Sequence, residues 1–484
     1  MGASTVVSLG YQRQDARRKA PVWGAIPLFA TDSTYIDLPR STIFSPPWMR
    51  WNGTADTLYA TLEHQLNDDW SLKASVSHTK TKTFRLGTYG DRLPGAESGP
   101  FIDRTTGAGV ALYAYPSGST DKEDTLDAYV SGKFELDGRK HDLVVGMSAS
   151  RIASRSDRYT MSHWVYAIPN IFTWGGSAPM PEYAKTGAWG TTITQQTGLY
   201  ASARWRVSDP LSVLTGVHMT NWRRQTDNYG TSGTYTDTTD VQRENRKLMP
   251  YIGAVYDITP ALAAYASYAR IFSPQSYMRD RNHQPLSPVI GSHTELGLKA
   301  KLFDGRMQAN FALFETRQDN LGVTDPDIKI PLPDGSMPYM TVDGTKTPGF
   351  ELDFSGHVTK NWRVNVGLSH TEVKPLVTEQ AKHLLHLGAN YQFSSALAPL
   401  SAGASLQWRS LVRYPYGNER PDGVEEPFKL PPLALIGLYA TWKFSPKVSA
   451  TLAVNNLTDK KYWGNSYNNY GDPRNMSLTV RAAF

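Results

Sequence analysis

Residues 475–484, NMSLTVRAAF, alternate to the last position: Met476, Leu478, Val480, Ala482 and Phe484 fall on one face, and Ser477, Thr479, Arg481 and Ala483 on the other. A period of two marks a strand whose faces meet different surroundings. Two surroundings fit: a water-soluble sheet with one buried face, or a membrane strand with lipid on one side and a wet lumen on the other.

The same module recurs along the chain. In residues 199–207 Leu199, Ala201, Ala203, Trp205 and Val207 oppose Tyr200, Ser202, Arg204 and Arg206, and after Ser208, Asp209 and Pro210 the pattern resumes with Leu211 and Val213. In residues 126–136 Leu126, Ala128, Val130, Phe134 and Leu136 oppose Tyr129, Ser131, Lys133 and Glu135. Such runs reach about ten residues, longer than the usual five or six and matched to the nine to eleven of a tilted membrane strand. Their second faces carry Arg, Lys, Glu and Ser, as a hydrated lumen permits; Arg204 and Arg206 are expected to pair with wall carboxylates. Connections alternate in length. Short turns (NDDW, DGRK, SDP, TPA, FDG, TKNW, SPK) take every other junction, and long loops near residues 15–50, 86–121, 159–190, 321–338 and 415–427 take the others. That asymmetry is the outer-membrane one. Eighteen strands are predicted, starting near Thr5, Asp56, Ser71, Asp124, Asp142, Thr192, Ser212, Glu244, Ala263, Pro288, Met307, Met340, Arg363, Lys382, Ser401, Leu430, Val448 and Met476. The predicted fold is an all-β, antiparallel transmembrane β-barrel, and Phe484 ends a lipid-facing row. A set of soluble sandwiches would have shorter strands and no consistent loop asymmetry.

Composition narrows the rest. No apolar run approaches the roughly 18 residues of a membrane helix, and mean hydropathy is −0.43, so a helical membrane protein is excluded. With no Cys among 484 residues, disulfide scaffolds and thiolate metal sites are excluded. The net charge of +6 is scattered, with clusters only as short as Arg17, Arg18 and Lys19. Nucleic-acid binding, which concentrates charge on one face, is therefore not expected; cations in a lumen or on outer loops favour anionic ligands or surface polysaccharide. The opening residues MGASTVVSLGYQ lack the basic, apolar and cleavage regions of a secretory signal.

Several stretches resemble the barrel of TonB-dependent siderophore receptors, in the branch for ferric coprogen, rhodotorulic acid and pyoverdine. They are AIPLFATDSTYIDLPRST (25–42), LYATLEHQLNDDWSLKASVSHT, MPYIGAVYDITPALAAYASYARIFSPQS (249–276), ELGLKAKLFDGRMQANFALFETRQDN (295–320), GFELDFSGHVTKNW (349–362), AVNNLTDKKYW (453–463) and YGDPRNMSLTVRAAF, in the family's order. Ala381 stands where the family often has Pro, which a strand start tolerates. The resemblance implies a 22-stranded barrel preceded by a signal peptide, a TonB-contact segment and a plug. This chain is expected to begin at what resembles the fifth strand, so that residues 1–484 form a partial barrel domain without plug or first four strands, and 22 less 4 equals the eighteen counted from alternation.

The resemblance implies TonB-energised transport of ferric siderophores across the outer membrane, with iron present only as the chelated cargo and no cofactor. Its partners would be the siderophore, outer-membrane lipid and lipopolysaccharide, and TonB only through the missing plug segment; the barrel would be a monomer. Two alternatives stand beside it: a plugless passive pore, and a truncated, non-functional fragment whose open edges are unstable in lipid. The fragment is the reading favoured for the chain alone, and the transporter for its family. Aromatic rings and loop cations suit planar, anionic chelates. Tyr467 and Tyr470 in NSYNNYGDPRN are the leading ligand-binding candidates, because the loop before the last strand carries binding aromatics in the branch resembled. Trp23 is the next; Trp189, Trp222 and Tyr277 lie near outer strand ends, where girdle aromatics are equally expected. Enzyme signatures fail. GMSAS (146–150) lacks the second Gly of a nucleophile elbow, and GTKTPG (344–349) the Lys-Ser/Thr of a phosphate loop. DPDIKIPLPDG (325–335) does not match calcium-loop spacing. His383 and His386 point to opposite faces of a strand and cannot share a metal.

Overall fold

Alternation becomes a wall in the structure, a computed structural model that describes residues 4–22, 26–96, 99–161, 164–327, 332, 337–375, 380–464 and 469–483. Nineteen strands form one antiparallel sheet. Eighteen succeed one another in chain order: Thr5–Lys19, Arg50–Gln65, Trp70–Arg92, Val110–Leu136, Arg139–Met161, Tyr183–Arg206, Leu211–Tyr229, Tyr235–Thr259, Leu262–Arg279, Pro285–Leu302, Met307–Asp319, Thr345–His357, Trp362–Thr371, His383–Gln392, Leu400–Arg409, Leu433–Ser445, Val448–Asn455 and Asn475–Ala482. The nineteenth, Val165–Ala167, pairs with the outer part of Val110–Leu136. The edges are the first and last strands: among the described residues Thr5–Lys19 pairs only with Arg50–Gln65, and Asn475–Ala482 only with Val448–Asn455.

Register carries one apolar face through all eighteen strands. Direct partners run Leu9, Ala60, Val76, Leu126, Ala149; farther round, Ala266, Leu296, Leu313, Phe350; and near the end Ala404, Leu438, Val454, Met476. The other face reads Ser8, Thr61, Ser75, Asp127, Ser148 at one end and Ser401, Thr441, Thr451, Thr479 at the other. Leu9 is 78% exposed, Leu296 57% and Leu478 69%. Leaving such a continuous belt in water would forfeit about 25 cal/mol per Å² of apolar surface, so the belt is the lipid face and the polar face is the lumen. Phe484 lies outside the described residues. Of the two lumenal arginines, Arg206 meets Asp142 at 3.6 Å, while Arg204 donates to the Ser212 hydroxyl at 3.5 Å.

On the lumenal face tyrosine rings lie flat over glycines of the neighbouring strand. A Cβ at Gly216 would sit 2.2 Å from the Tyr251 ring, and the Tyr251 hydroxyl donates to Ser202 at 2.6 Å. Glycine is required there to let the ring pass, which pins register between strands.

Connections at one end are short and at the other long, as the asymmetry predicted. The outer loops are narrower than expected, however. Strand pairing continues to Arg92 and resumes at Val110 within the loop expected near residues 86–121, and the loops near 321–338 and 415–427 contain the hairpins Leu321–Thr324 with Tyr339–Val342 and Val412–Glu419 with Glu425–Leu430. Beyond the bilayer both faces meet water, so pairing persists without alternation.

Buried apolar side chains cluster among the outer loops. Ile26, Ile36, Leu38, Phe44, Ile102, Leu112, Ile168 and Ile171 form the larger cluster, with Trp164, Trp174, Trp463 and Tyr470 packed against it. Residues 26–49 of the first outer loop are its centre, and Trp463 and Tyr470 bring the last outer loop against them.

Candidate ligand-binding mouth

The last outer loop, residues 456–474, is shaped by one buried asparagine. Asn456 adopts a positive φ of 47°; its side chain accepts from the Lys460 N–H at 2.9 Å and donates to the carbonyls of Lys460 and Asp472 at 2.9 and 3.0 Å. Both ends of the loop are thereby tied. The Asp459 carboxylate accepts from the Arg474 N–H at 2.9 Å and pairs with Arg40 of the first loop at 2.6 Å. Those two donors, the backbone one foremost, hold its pKa below the usual carboxylate range.

Within this frame Trp463 and Tyr470 bridge as antiparallel neighbours and stack at 4.3 Å between centroids, 15° between planes. The Tyr470 hydroxyl donates to the Leu38 carbonyl at 3.1 Å. Lys461 lies 4.6 Å from the Tyr470 ring centroid and donates to Asp37 and to the Leu38 carbonyl, each at 2.5 Å. Burial pulls the Lys461 ammonium down, but Asp37 and Tyr470 outweigh it and leave its pKa raised. Burial, against the pull of Lys461, pushes the Tyr470 phenol up. Nearby, Tyr35 donates to Glu426 at 2.7 Å and is pushed up to about 12, first by burial and then by that carboxylate.

These loops enclose a cavity of about 490 Å³. Its lining places Tyr35, Tyr462, Trp463 and Tyr470 beside Arg409, Lys429, Lys460 and Lys461, with Asp37 the one carboxylate in that lining. Among the described residues Arg409, Lys429 and Lys460 have no carboxylate within ion-pair distance. A cavity with aromatic planes and uncompensated cations suits a planar, anionic, partly apolar ligand. No group of three or more His, Cys, Asp or Glu that could hold a metal occurs among the described residues.

The sequence matches, over residues 4–457, the family described as TonB dependent receptor-like, beta-barrel. The chain belongs to this family. It is 30% identical over 499 residues to the ferripyoverdine receptor of Pseudomonas aeruginosa, a match covering 100% of this chain and 58% of that protein. It is likewise 30% identical over 523 residues to the ferric-pyoverdine M114 receptor PbuA of Pseudomonas sp. strain M114, covering 59% of it. Among solved structures, the outer-membrane ferripyoverdine receptor of P. aeruginosa bound to ferripyoverdine superposes with a TM-score of 0.86 at 28% identity, covering 99% of this chain and 62% of that one. The chain thus spans less than two thirds of the length of these relatives. These relatives are named as receptors, and this chain shares their outer-membrane β-barrel wall.

Of the six residues singled out from sequence, the cavity contains Tyr470. Tyr467 and Trp23 lie outside the described residues. Trp189 sits on the lipid-side face, stacked on Tyr229 at 4.9 Å with the Arg155 guanidinium 4.1 Å from its centroid. Trp222 occupies the lumenal face between Gln196 and Glu244, and Tyr277 is 66% exposed on the outer part of Leu262–Arg279. Neither lines the mouth. Sequence reasoning passed over Tyr35, Arg409, Lys429 and Lys461. Only KKYW at 460–463 carried a local signal, two lysines against two aromatics; the others arrive from distant loops.

Proposed function

We propose that the chain forms the wall and mouth of an outer-membrane receptor for ferric siderophores, taking an anionic chelate of the pyoverdine kind between its first and last outer loops. The observation that carries this is the cation-rich aromatic cavity around Tyr470, Trp463, Lys461 and Arg409; the names of the relatives support the ligand class. TonB-driven passage belongs to the receptor completed by a plug and four further strands, and the two singly paired edges support that division. The test is titration of the folded chain in detergent micelles with ferripyoverdine, followed by quenching of tryptophan fluorescence. Saturable quenching is expected, weakened roughly ten- to 150-fold in K429Q/K461Q, as loss of two contacts to a charged ligand worth roughly 1.5–3 kcal/mol together would produce. K447Q, at a turn on the opposite end, leaves it unchanged. Absence of saturation, or equal affinity in all three proteins, overturns the proposal. The same edges support a second reading, that the chain alone is an inactive wall fragment; steady single-channel current in planar bilayers would replace it with the passive pore.

A further inference from the structure

Away from the mouth, two histidines meet across neighbouring strands. His370 of Trp362–Thr371 and His383 of His383–Gln392 are direct register partners. Their Nδ1 atoms lie 3.2 Å apart, with the ring centroids 4.5 Å apart. Both flanks of the pair are held. Phe350, the partner of His370 on the preceding strand, stacks on its ring at 5.6 Å and 25°. On the other side the His383 N–H donates to the Ser410 hydroxyl at 3.0 Å, and its carbonyl accepts from the Ser410 N–H at 3.0 Å. His386 pairs with Gly367 and Gln407 on the lumenal face, so it stands apart from the other two.

The pair caps the apolar belt. One pleat nearer the short turns the same face reads Phe311, Leu352, Leu368 and Leu385 as successive partners. His370 lies eight residues from Trp362, where its strand begins, and one residue from its end at Thr371. At ~3.3 Å per residue and ~45° of tilt that is about 19 Å along the membrane normal, in the outer part of a ~25 Å band. A cavity of about 410 Å³, lined by His383 with Glu372, Lys382, Ser410 and Arg413, gives water a path to the pair. Glu372 is already bound by Lys374 and Lys382, which leaves the two imidazoles as the donor set.

We propose that His370 and His383 form a two-imidazole chelate for a divalent transition metal, Cu²⁺ foremost, at the outer rim of the wall. Two nitrogens each 2.0–2.1 Å from one ion stand about 2.9 Å apart at a right angle and about 3.3 Å apart at the tetrahedral angle; the observed 3.2 Å lies within that bite. Imidazole suits Cu, Zn and Ni, and Cu²⁺ stands highest in their order of affinity. Each ring ligates through Nδ1 and carries its proton on Nε2, so binding moves a proton within one ring and changes no oxidation state. With two protein ligands the ion keeps open positions for water, unlike a closed structural centre. It links the two strands beyond their backbone ladder. The assignment is independent of the mouth and its ligand.

The untagged full chain in non-ionic micelles is titrated with Cu²⁺ as wild type, H370Q, H383Q and H386Q. Calorimetry reads the affinity, and electron paramagnetic resonance reads the ligand set. The wild type is expected to hold one tight Cu²⁺ with the hyperfine pattern of two imidazole nitrogens, undisturbed by excess Mg²⁺, which prefers oxygen ligands. H370Q and H383Q each weaken binding at least about tenfold, the least that even an outer-shell partner of a metal ligand contributes, and H386Q leaves affinity and spectrum unchanged. A wild-type spectrum without two imidazole nitrogens, tight binding that survives in H370Q or H383Q, or its loss in H386Q overturns the assignment. Should one variant fail to fold, the wild-type spectrum and the remaining variants decide.

Discussion

Replacing Leu296 by arginine tests the lipid assignment against a control one residue away in register. Leu296 faces Ala266 across the ladder, and the next pair, Glu295 and Ser267, faces the lumen. Leu296 lies six residues from Leu302, where its strand ends; at ~3.3 Å per residue and ~45° of tilt this is about 14 Å, close to the midplane of a ~25 Å band. There an arginine on the lipid side costs about 2–4 kcal/mol, a loss of roughly thirty- to several-hundred-fold in the folding constant. Ser267→Arg puts the same side chain at the same depth on the other face, directly opposite Glu295, where water and a carboxylate receive it at a cost under about 0.5 kcal/mol. The assay is reversible urea unfolding of the chain in zwitterionic vesicles, followed by tryptophan fluorescence. Equal costs, or a larger cost for the Ser267 variant, would reverse the two faces and remove the basis for reading this sheet as a membrane wall.

Gly216→Val forces a side chain into the Tyr251 ring and should destabilise by roughly 1–3 kcal/mol; in the double variant with Tyr251→Ala the two costs should fall short of their sum by about 1 kcal/mol, and strict additivity would show that the ring does not occupy that space. Glu372, between Lys374 and Lys382, is lowered from 4.5 to about 2, by the hydrogen bonds from these lysines first. A depressed carboxylate stabilises the fold above its unfolded pKa and loses that contribution as pH falls through the folded one, so the contribution is whole at pH 5 and gone below about 2; a Glu372 carbonyl-carbon NMR titration with a midpoint near 4.5 would refute the pairing. Asp459→Ala removes the partner of Arg40 and of the Arg474 N–H, and limited proteolysis of residues 20–49 should accelerate; an unchanged cleavage rate would mean that the apolar cluster holds the two loops together without the clasp.

Strands that leave the short turns were mostly legible to within one residue, with Asp142 three residues inside a strand that starts at Arg139. Strands entering from the outer loops were legible only at Lys382 and Met476, one residue from His383 and Asn475. Thr5, Met307 and Val448 are the true starts, and Ser71, Ser212 and Arg363 follow theirs by one residue; Asp56, Asp124, Thr192 and Glu244 fall well inside strands that begin at Arg50, Val110, Tyr183 and Tyr235. The cause is physical, since a period of two records the contrast between lipid and lumen and says nothing about hydrogen bonding where both faces are wet. The mouth was legible for the same reason only in part. Tyr470 and the Asn456–Lys461 stretch act within one loop, but Asp37 and Arg409 reach the cavity through the packing of Ile36, Leu38 and Trp463 across most of the chain's length, and alternation carries no trace of that. The point where alternation ends therefore has a meaning of its own: it marks the membrane exit on each strand, and on five of six neighbouring strands it coincides with a lipid-side cation, Lys80, Lys122, Arg151, Arg223 or Arg243. Cations that look scattered along the chain are thus gathered at one height by the register, where the apolar belt ends.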